Sequence, residues 1–447
     1  MMKLTFVTVV DQAIYEPGTA QLAAIARRHG WTPIHAPVDY GTAKEAFSRR
    51  LLENEPGAVV FRLTGETREV VQYMARVIRE EAPTLPFVFH GPLCIHRPDS
   101  AVGVSDHSLV LAGEPETAFD RLLAHWPSQG GFVPEAIPGV WRIHDGETLR
   151  GPEALAFEPG RLPPPEIEVF GGASLFRHGT GASLFGETGV FPIETTVGCP
   201  AGPASNAALQ SFNHPASPSI APRRRPIDGL LDGLESVAGA VRHLEVRDRQ
   251  FGFDDEHSER FLRELSSRFP NLGYSLRMNA EPGLPPIFDR LDSGRCRRIV
   301  LELDAPTPAI KTRSPGLRDP DRVRDALRRI VGAGIEAALL VSVGLPWETP
   351  ADIRGKLDLI REEGVRRARF LPFEPRYADH LYSVCSDAKM LPTGEAGWNR
   401  EVYHPLRQDC MPEEEWYQVW QECLDLAARL QVEHPSVTRS TTEGPVA

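Results

Sequence analysis

The segment "FPIETTVGCPAGPASN" holds the residues whose types and spacing point most directly to chemistry. Cys199 opens what reads as a metal-cluster motif, but Pro203 and Asn206 stand where two further cysteines are expected. An iron–sulfur cluster is held by soft thiolates. Proline has no side-chain donor, and a carboxamide is a poor ligand for iron. Ser205 and His214 are other donors in reach along the chain, yet "AGPASNAALQSFNHPASPSIAP" has the composition of a loop released from constraint. The motif is broken, and Cys199 alone reads as a buried thiol.

Three upstream loops form a second set. "RLTGET" (Arg62 to Thr67), "HGPLC" (His90 to Cys94) and "GEPE" (Gly113 to Glu116) each follow a strand-like run. Gly65, Gly91 and Gly113 let backbone come close to a ligand, and Thr64 and Thr67 offer hydroxyls. Pro92 and Glu114 complete the set. Turn chemistry alone explains any one loop; their order is more specific. His35 and His90 lie nearby and read as histidines without a metal. In the second half, Arg277, Glu302, Asp304 and Glu348 fall at the ends of strand-like runs. A helix N-cap for Asp254 and a salt bridge for Glu348 are the structural alternatives.

Alternating elements position these residues. "LTFVTVV", "AVVFRL", "PFVFHG" and "HSLVLAG" predict buried strands, with "TAQLAAIARRHG", "TREVVQYMARVIREE" and "ETAFDRLLAHW" as helices between and after them. Alternation of this kind gives a parallel sheet with ligands gathered at the strand C-termini. A proline-rich stretch follows, with two short strand-like pieces around Asp145-Gly146 and a glycine-rich loop at "GGASLFRHGTGASLFGETG". The second half repeats the alternation: "HLEV", "YSLRMN", "RRIVLELDAP", "EAALLVSVGLPWETP" and "ARFLPFEPRY" predict strands. "DPDRVRDALRRIVGAG" and "PADIRGKLDLIREEG" predict helices between them, an arrangement suited to a partial or full barrel. "PEEEWYQVWQECLDLAARL" predicts an amphipathic helix packed on that barrel, and "TRSTTEGPVA" a disordered tail.

Composition bounds the function. The 447 residues allow two or three domains, and the 41% hydrophobic and 25% charged balance is that of a globular chain. A formal charge of −12 argues against nucleic acid and anionic membrane as partners. The basic run Arg223 to Arg225 is short and reads as a solvated loop. No apolar stretch is long enough to span a membrane. The six scattered cysteines have no paired short spacing, which fits a reducing cytoplasm.

The set "YEPGTAQLAAIARRHG … VVFRLTGET … FVFHGPLC … LAGEPETAFDRLL" resembles the cobalamin-binding domain that precedes many radical S-adenosylmethionine (radical SAM) enzymes. The second half resembles their barrel, through "FPIETTVGCP", "FGFDDEHSERF", "YSLRMN", "VLELDAPTPAIKTRSPG" and "VSVGLPWET". The resemblance implies an α/β chain: a doubly wound, Rossmann-like parallel sheet, then a partial (β/α) barrel of the TIM type, then a C-terminal helical segment. It implies a cobalamin-binding domain over 1–127, a linker over 128–190, a barrel over 191–390 and a helix with tail over 391–447. Cobalamin would lie over Thr64, Gly65, Thr67, Gly91, Pro92, Gly113 and Glu114. It would be held base-off without a protein histidine, since "DQAIYEPG" has none. Arg277, Glu302, Asp304 and Glu348 would face S-adenosylmethionine, although Trp347 replaces a family glycine. The family's Cys-x-x-x-Cys-x-x-Cys cluster is not expected here.

The resulting expectation is a non-radical cobalamin protein. It would act in polar methyl transfer with an outside reductase, or as a cofactor-holding partner of an active relative. The alternatives are a radical methyltransferase or cyclase with unconventional cluster ligation, and a non-catalytic cobalamin or tetrapyrrole sensor.

Overall fold

The computed structural model describes residues 2–9, 15–64, 67–96, 98–105, 108–126, 136–144, 147–152, 158–178, 183–198, 223–281, 283–304, 319–373, 380–391 and 406–433. Gly65, the cluster-motif positions Cys199, Pro203 and Asn206, and Ser205, His214, the Asp145-Gly146 turn and the tail lie outside the described residues.

The first half runs β1 (Lys3–Val9), α1 (Pro17–Arg28), β2 (Thr32–Val38), α2 (Lys44–Glu53), β3 (Ala58–Arg62), α3 (Arg68–Glu81), β4 (Phe87–His90), α4 (Pro92–His96), α5 (Pro98–Val102), β5 (Ser108–Leu111) and α6 (Pro115–Ala124). The five strands are parallel in the order β2-β1-β3-β4-β5. The chain therefore reverses direction across the sheet beside β1, and the crevice at that point opens at the strand C-termini. Period-two alternation makes the sheet two-faced. Leu4 and Phe6 pack with Leu22 and Ile25 of α1 and Phe119 and Leu122 of α6. Val7 and Val9 pack on the other side with Phe47 of α2 and Val71, Met74 and Ile78 of α3. That arrangement is a doubly wound sheet.

Two strands in the proline-rich stretch, β6 (Val140–His144) and β7 (Glu147–Arg150), extend this sheet antiparallel from β5. They join the first sheet. α7 (Ala173–His178) occupies part of the stretch read as a glycine-rich loop. Val169 and Phe170 pack with Phe176 of α7 into the core of the second half.

The second half runs β8 (Val190–Ile193), β9 (Thr196–Val197), β10 (Arg223–Arg224), α8 (Ile227–Glu235), β11 (His243–Val246), α9 (Asp255–Arg268), β12 (Gly273–Arg277), β13 (Cys296–Leu303), α10 (Pro320–Gly332), β14 (Glu336–Val343), α11 (Pro350–Glu362), β15 (Arg367–Pro372), α12 (His380–Asp387) and α13 (Glu413–Glu433). β8, β11, β12, β13, β14 and β15 pair in that order, all parallel, as a curled half-barrel. Ile299, Leu301, Leu303, Leu339, Val341 and Val343 point outward to the helices. The other parity carries Glu245, Arg247, Arg277, Arg298, Glu302, Asp304 and Ser342, all buried. Val300, Ala338 and Leu340 share that parity and form an apolar cluster with Leu184, Phe185 and Phe373. The inner wall thus carries charged side chains on β11, β12, β13 and β15, with an apolar patch at Val300, Ala338 and Leu340.

Ion pairs close the N-terminal end of the half-barrel. Arg298 holds both oxygens of Glu187 at 2.7 and 2.8 Å, and Glu336 at 2.6 Å. Arg367 reaches Glu336 at 2.9 Å. Burial pushes the Glu187 carboxyl up, but Arg298 and Arg367 outweigh it and bring the pKa down to about 2. No helix among the described residues is long and apolar enough to cross a membrane.

Candidate functional site

The site candidates gather at two strand C-terminal edges, one on each sheet. On the first, the loops after β3 and β4 brace one another. Thr64 and Thr67 exchange hydrogen bonds: each backbone N–H donates to the other's hydroxyl, at 3.0 and 3.1 Å. Their hydroxyls therefore shape the turn into α3. Gly91 has φ +106°, and a Cβ there would meet the Leu63 carbonyl oxygen at 2.7 Å. Only glycine fits, because one loop's backbone crosses the other. Pro92 starts α4 at this crossing.

The same edge holds a polar cluster that the motifs did not reveal. Glu16 caps α1, accepting from the Thr19 N–H at 2.5 Å and its hydroxyl at 2.6 Å, with Arg62 Nε 3.6 Å away. Burial pushes Glu16 up, but Arg62, His90 and Thr19 outweigh it and hold it below the ordinary value. His90 is buried, and among the described residues its Nε2 has no hydrogen-bond partner. Burial drives its pKa down to about 4, against the pull of Glu16, so the ring is neutral at pH 7. His35 is also brought to about 4 by burial; its Nε2 lies 2.7 Å from the Thr8 hydroxyl and its ring 4.3 Å from that of Phe170.

Gly113, at φ +88°, turns the chain from β5 so that Glu114 faces the second half. There it meets Arg223, whose Nη1 donates to Oε2 at 3.0 Å and whose Nη2 contacts Oε1. The run Arg223 to Arg225, read from sequence as a solvated loop, is instead a structured stem. Arg223 and Arg224 pair antiparallel with Val197 and Thr196. Arg224 contacts Asp254, and Arg225 lies 3.8 Å from Glu194. Composition hid this because the three partners come from three distant segments. A small cavity of about 50 Å³ lies beside the stem, lined among others by Tyr15, Gln21, Glu194, Arg225 and Arg247. Tyr15 stacks on Phe191 of β8, with ring centroids 5.6 Å apart.

On the half-barrel edge, Asp248 follows β11 and is another residue the motifs missed. Its Oδ1 accepts from the N–H groups of Thr195 at 2.5 Å and Thr196 at 3.2 Å. Its Oδ2 accepts from both hydroxyls, that of Thr196 at 3.0 Å. Burial raises its pKa to about 6, against the pull of those hydrogen bonds. The signal available was an aspartate two residues beyond a buried strand. Arg277 pairs with Glu302, and the Ser342 hydroxyl donates to Asp304 at 2.9 Å. Asp254 is the N-cap of α9, accepting from the His257 N–H at 3.1 Å. Glu348 is fully buried against Lys356 and accepts from the N–H groups of Gly344 at 2.6 Å and Leu345 at 3.0 Å. Burial raises its pKa, opposed by Lys356. Glu348 thus braces the loop after β14. Trp347, beside it, has φ +59°, the left-handed region that favours glycine, and its side chain packs on the apolar inner cluster.

The donors suited to iron are dispersed. Cys199 is followed by no cysteine before Cys296. Cys296 begins β13 at the opposite end of the half-barrel. Cys94 and Cys423 are buried in α4 and α13, and Cys385 in α12. Cys410 contacts the Glu348 carbonyl at 3.6 Å, near the loop after β14. β14 lies four places from β8 in the sheet, about 19 Å along it. Among the described residues, no three histidine, cysteine or acidic side chains group to hold a metal.

No protein-family model matches the sequence, and no curated protein matches it. Solved structures share the fold at low identity. The radical S-adenosylmethionine methyltransferase TsrM from Kitasatospora setae, with tryptophan substrate and a SAM analogue bound, aligns at TM-score 0.66 and 16% identity over 88% of this chain and 78% of that one. TsrM with cobalamin and a [4Fe-4S] cluster bound aligns at the same score over 80% of its chain. The cobalamin-dependent S-adenosylmethionine radical enzyme OxsB, with aqua-cobalamin and S-adenosylmethionine bound, aligns at TM-score 0.61 and 13% identity. That match covers 96% of this chain and 56% of OxsB.

Proposed function

The chain has the fold of cobalamin-dependent radical SAM enzymes, and from that premise we propose that it is a cobalamin-binding protein acting in polar methyl transfer, without a radical-generating cluster. The observation that supports this reading is the sequence's donor set: one cysteine at the motif, and five others far from it along the chain. Iron–sulfur assembly depends on thiolates converging on one point.

The first sheet's C-terminal edge fits a corrin ligand better than the motif fits a cluster. Three short loops converge there beside a reversal in strand order, the place where open α/β sheets bind ligands. His90 Nε2, without a hydrogen-bond partner among the described residues, gives that edge a buried polar atom that a ligand could engage. When bound, cobalamin supplies a cobalt centre that carries a methyl group from donor to acceptor. Thr64, Gly65, Thr67, Gly91, Pro92, Gly113 and Glu114 are the residues assigned to hold it. Glu16 and Arg62 fix charge beneath those loops, and the neutral His35 and His90 leave the edge without added positive charge at pH 7.

S-adenosylmethionine is assigned as methyl donor, addressed by Arg277, Glu302 and Asp304 on the inner wall. Glu348 has a bracing role in this reading, and Trp347 narrows the same edge. A protein reductase is the partner assigned in this reading, because it would supply the cofactor in its reduced state.

The test follows the fate of S-adenosylmethionine. The full chain is incubated without oxygen with chemically reduced cobalamin and S-adenosylmethionine, beside a heat-denatured control. S-adenosylhomocysteine above the control, with no 5′-deoxyadenosine, is the expected result. 5′-Deoxyadenosine, or neither product, contradicts the assignment.

A further inference from the structure

We infer that Arg223, Arg224 and Arg225 form a protein-only clamp that pins the Thr195–Val197 stretch and locks it to the β5–α6 loop, with no metal required.

The geometry is specific. β9 and β10 pair antiparallel, Arg223 with Val197 and Arg224 with Thr196. The Arg225 N–H donates to the Thr195 carbonyl at 2.8 Å, which closes the ribbon. Asp248 holds the opposite side of Thr195 and Thr196 through four hydrogen bonds. The ribbon is therefore gripped from both sides.

The side chains then distribute the anchor. Arg223 forks onto both oxygens of Glu114, crossing from the half-barrel to the first sheet. The side chains of this pair are only 17% and 5% exposed, so water screens it little. Arg225 and Glu194 are 11% and 16% exposed and join the stem to the end of β8. The Arg224 side chain is 62% exposed and contributes less, through the N-cap carboxylate of α9. Arg223 is accordingly a positioning residue: it sets where the β5–α6 loop stands relative to the half-barrel.

The experiment is hydrogen exchange read by mass spectrometry on the full chain, stripped of iron with a chelator under reducing conditions. Slow exchange at residues 195–197 and 223–225 is expected without metal. Arg223→Ala should speed it roughly tenfold or more there, while β13 and β14 stay protected as the internal reference. Arg223→Lys, which keeps charge but loses the fork, should give a smaller increase at the same residues. If Arg223→Ala also exposes β13 and β14, the Lys variant decides.

Two results overturn the clamp: fast exchange that slows only after reconstitution with iron and sulfide, or slow exchange that both variants leave unchanged. Iron content of the chain after reconstitution with iron and sulfide separates failure of the clamp from failure of the cluster-less reading. Slow metal-free exchange in a chain that does assemble a cluster keeps the clamp and removes the proposed function.

Discussion

Asp248 shows how a single side chain can organise a site without being part of its chemistry. Four donors from Thr195 and Thr196 converge on a carboxyl shut off from water, and burial wins, lifting its pKa from 3.8 to about 6. A folded value above the unfolded one means that protonation favours the folded chain. The contribution is present in full below about pH 4 and is lost as pH rises through 6, a change of about 3 kcal/mol. Asp248→Asn keeps one acceptor for the two N–H groups and offers an amide to the two hydroxyls, which can also accept. It should fold and lose this part of the pH dependence, as urea unfolding between pH 4 and 7 would measure. Asp248→Ala leaves buried donors unpaired and should cost about 3 kcal/mol. Gly91 and Trp347 carry the same lesson about motif residues. Gly91 is glycine because the Leu63 carbonyl crosses it, and Trp347 holds a glycine-like φ. Sequence spacing located both positions, but only the packing supplies the reason.

At the scale of elements, periodicity revealed the strands and helices with a clear apolar face, such as β13, β14, α10 and α13. It missed β2, where Pro33 and Pro37 interrupt the pattern; the fold tolerates them because β2 is an edge strand. It also missed that Arg223 and Arg224 form a strand, since two residues carry no period. The ion pairs at the closed end of the half-barrel were equally invisible, because Glu187, Arg298, Glu336 and Arg367 meet only after β8, β13, β14 and β15 are assembled. Their pH behaviour has the opposite sign to that of Asp248. Glu187 falls from 4.5 to about 2 on folding, so its contribution is present above about pH 4.5 and is lost as pH drops through 2. Glu187→Gln leaves Arg298 and Arg367 to share Glu336 and should destabilise the chain by about 3 to 5 kcal/mol in chemical denaturation. A change below 1 kcal/mol would show that the network is not a structural closure.

For the whole molecule, the two-part α/β architecture was legible because each half repeats strand–loop–helix with buried runs of ordinary length. How the halves meet was not legible. Tyr15 on Phe191 and Glu114 on Arg223 are contacts between segments separated by more than a hundred residues, and no local pattern announces them. The candidate site was readable in part for the same reason. Loop glycines and strand-end carboxylates mark the two edges, whereas Glu16, Arg62, Asp248 and the arginine stem acquire their roles only when the sheets come together. The fold presents two strand C-terminal edges, and the account stands on them together with the proposed loss of the cluster.

The measurement that bears on it most directly is cobalt and iron per chain, on protein purified without oxygen from cells supplied with cobalamin and iron. The account predicts about one cobalt and far less than one iron. About four irons per chain, or no cobalt, would contradict it.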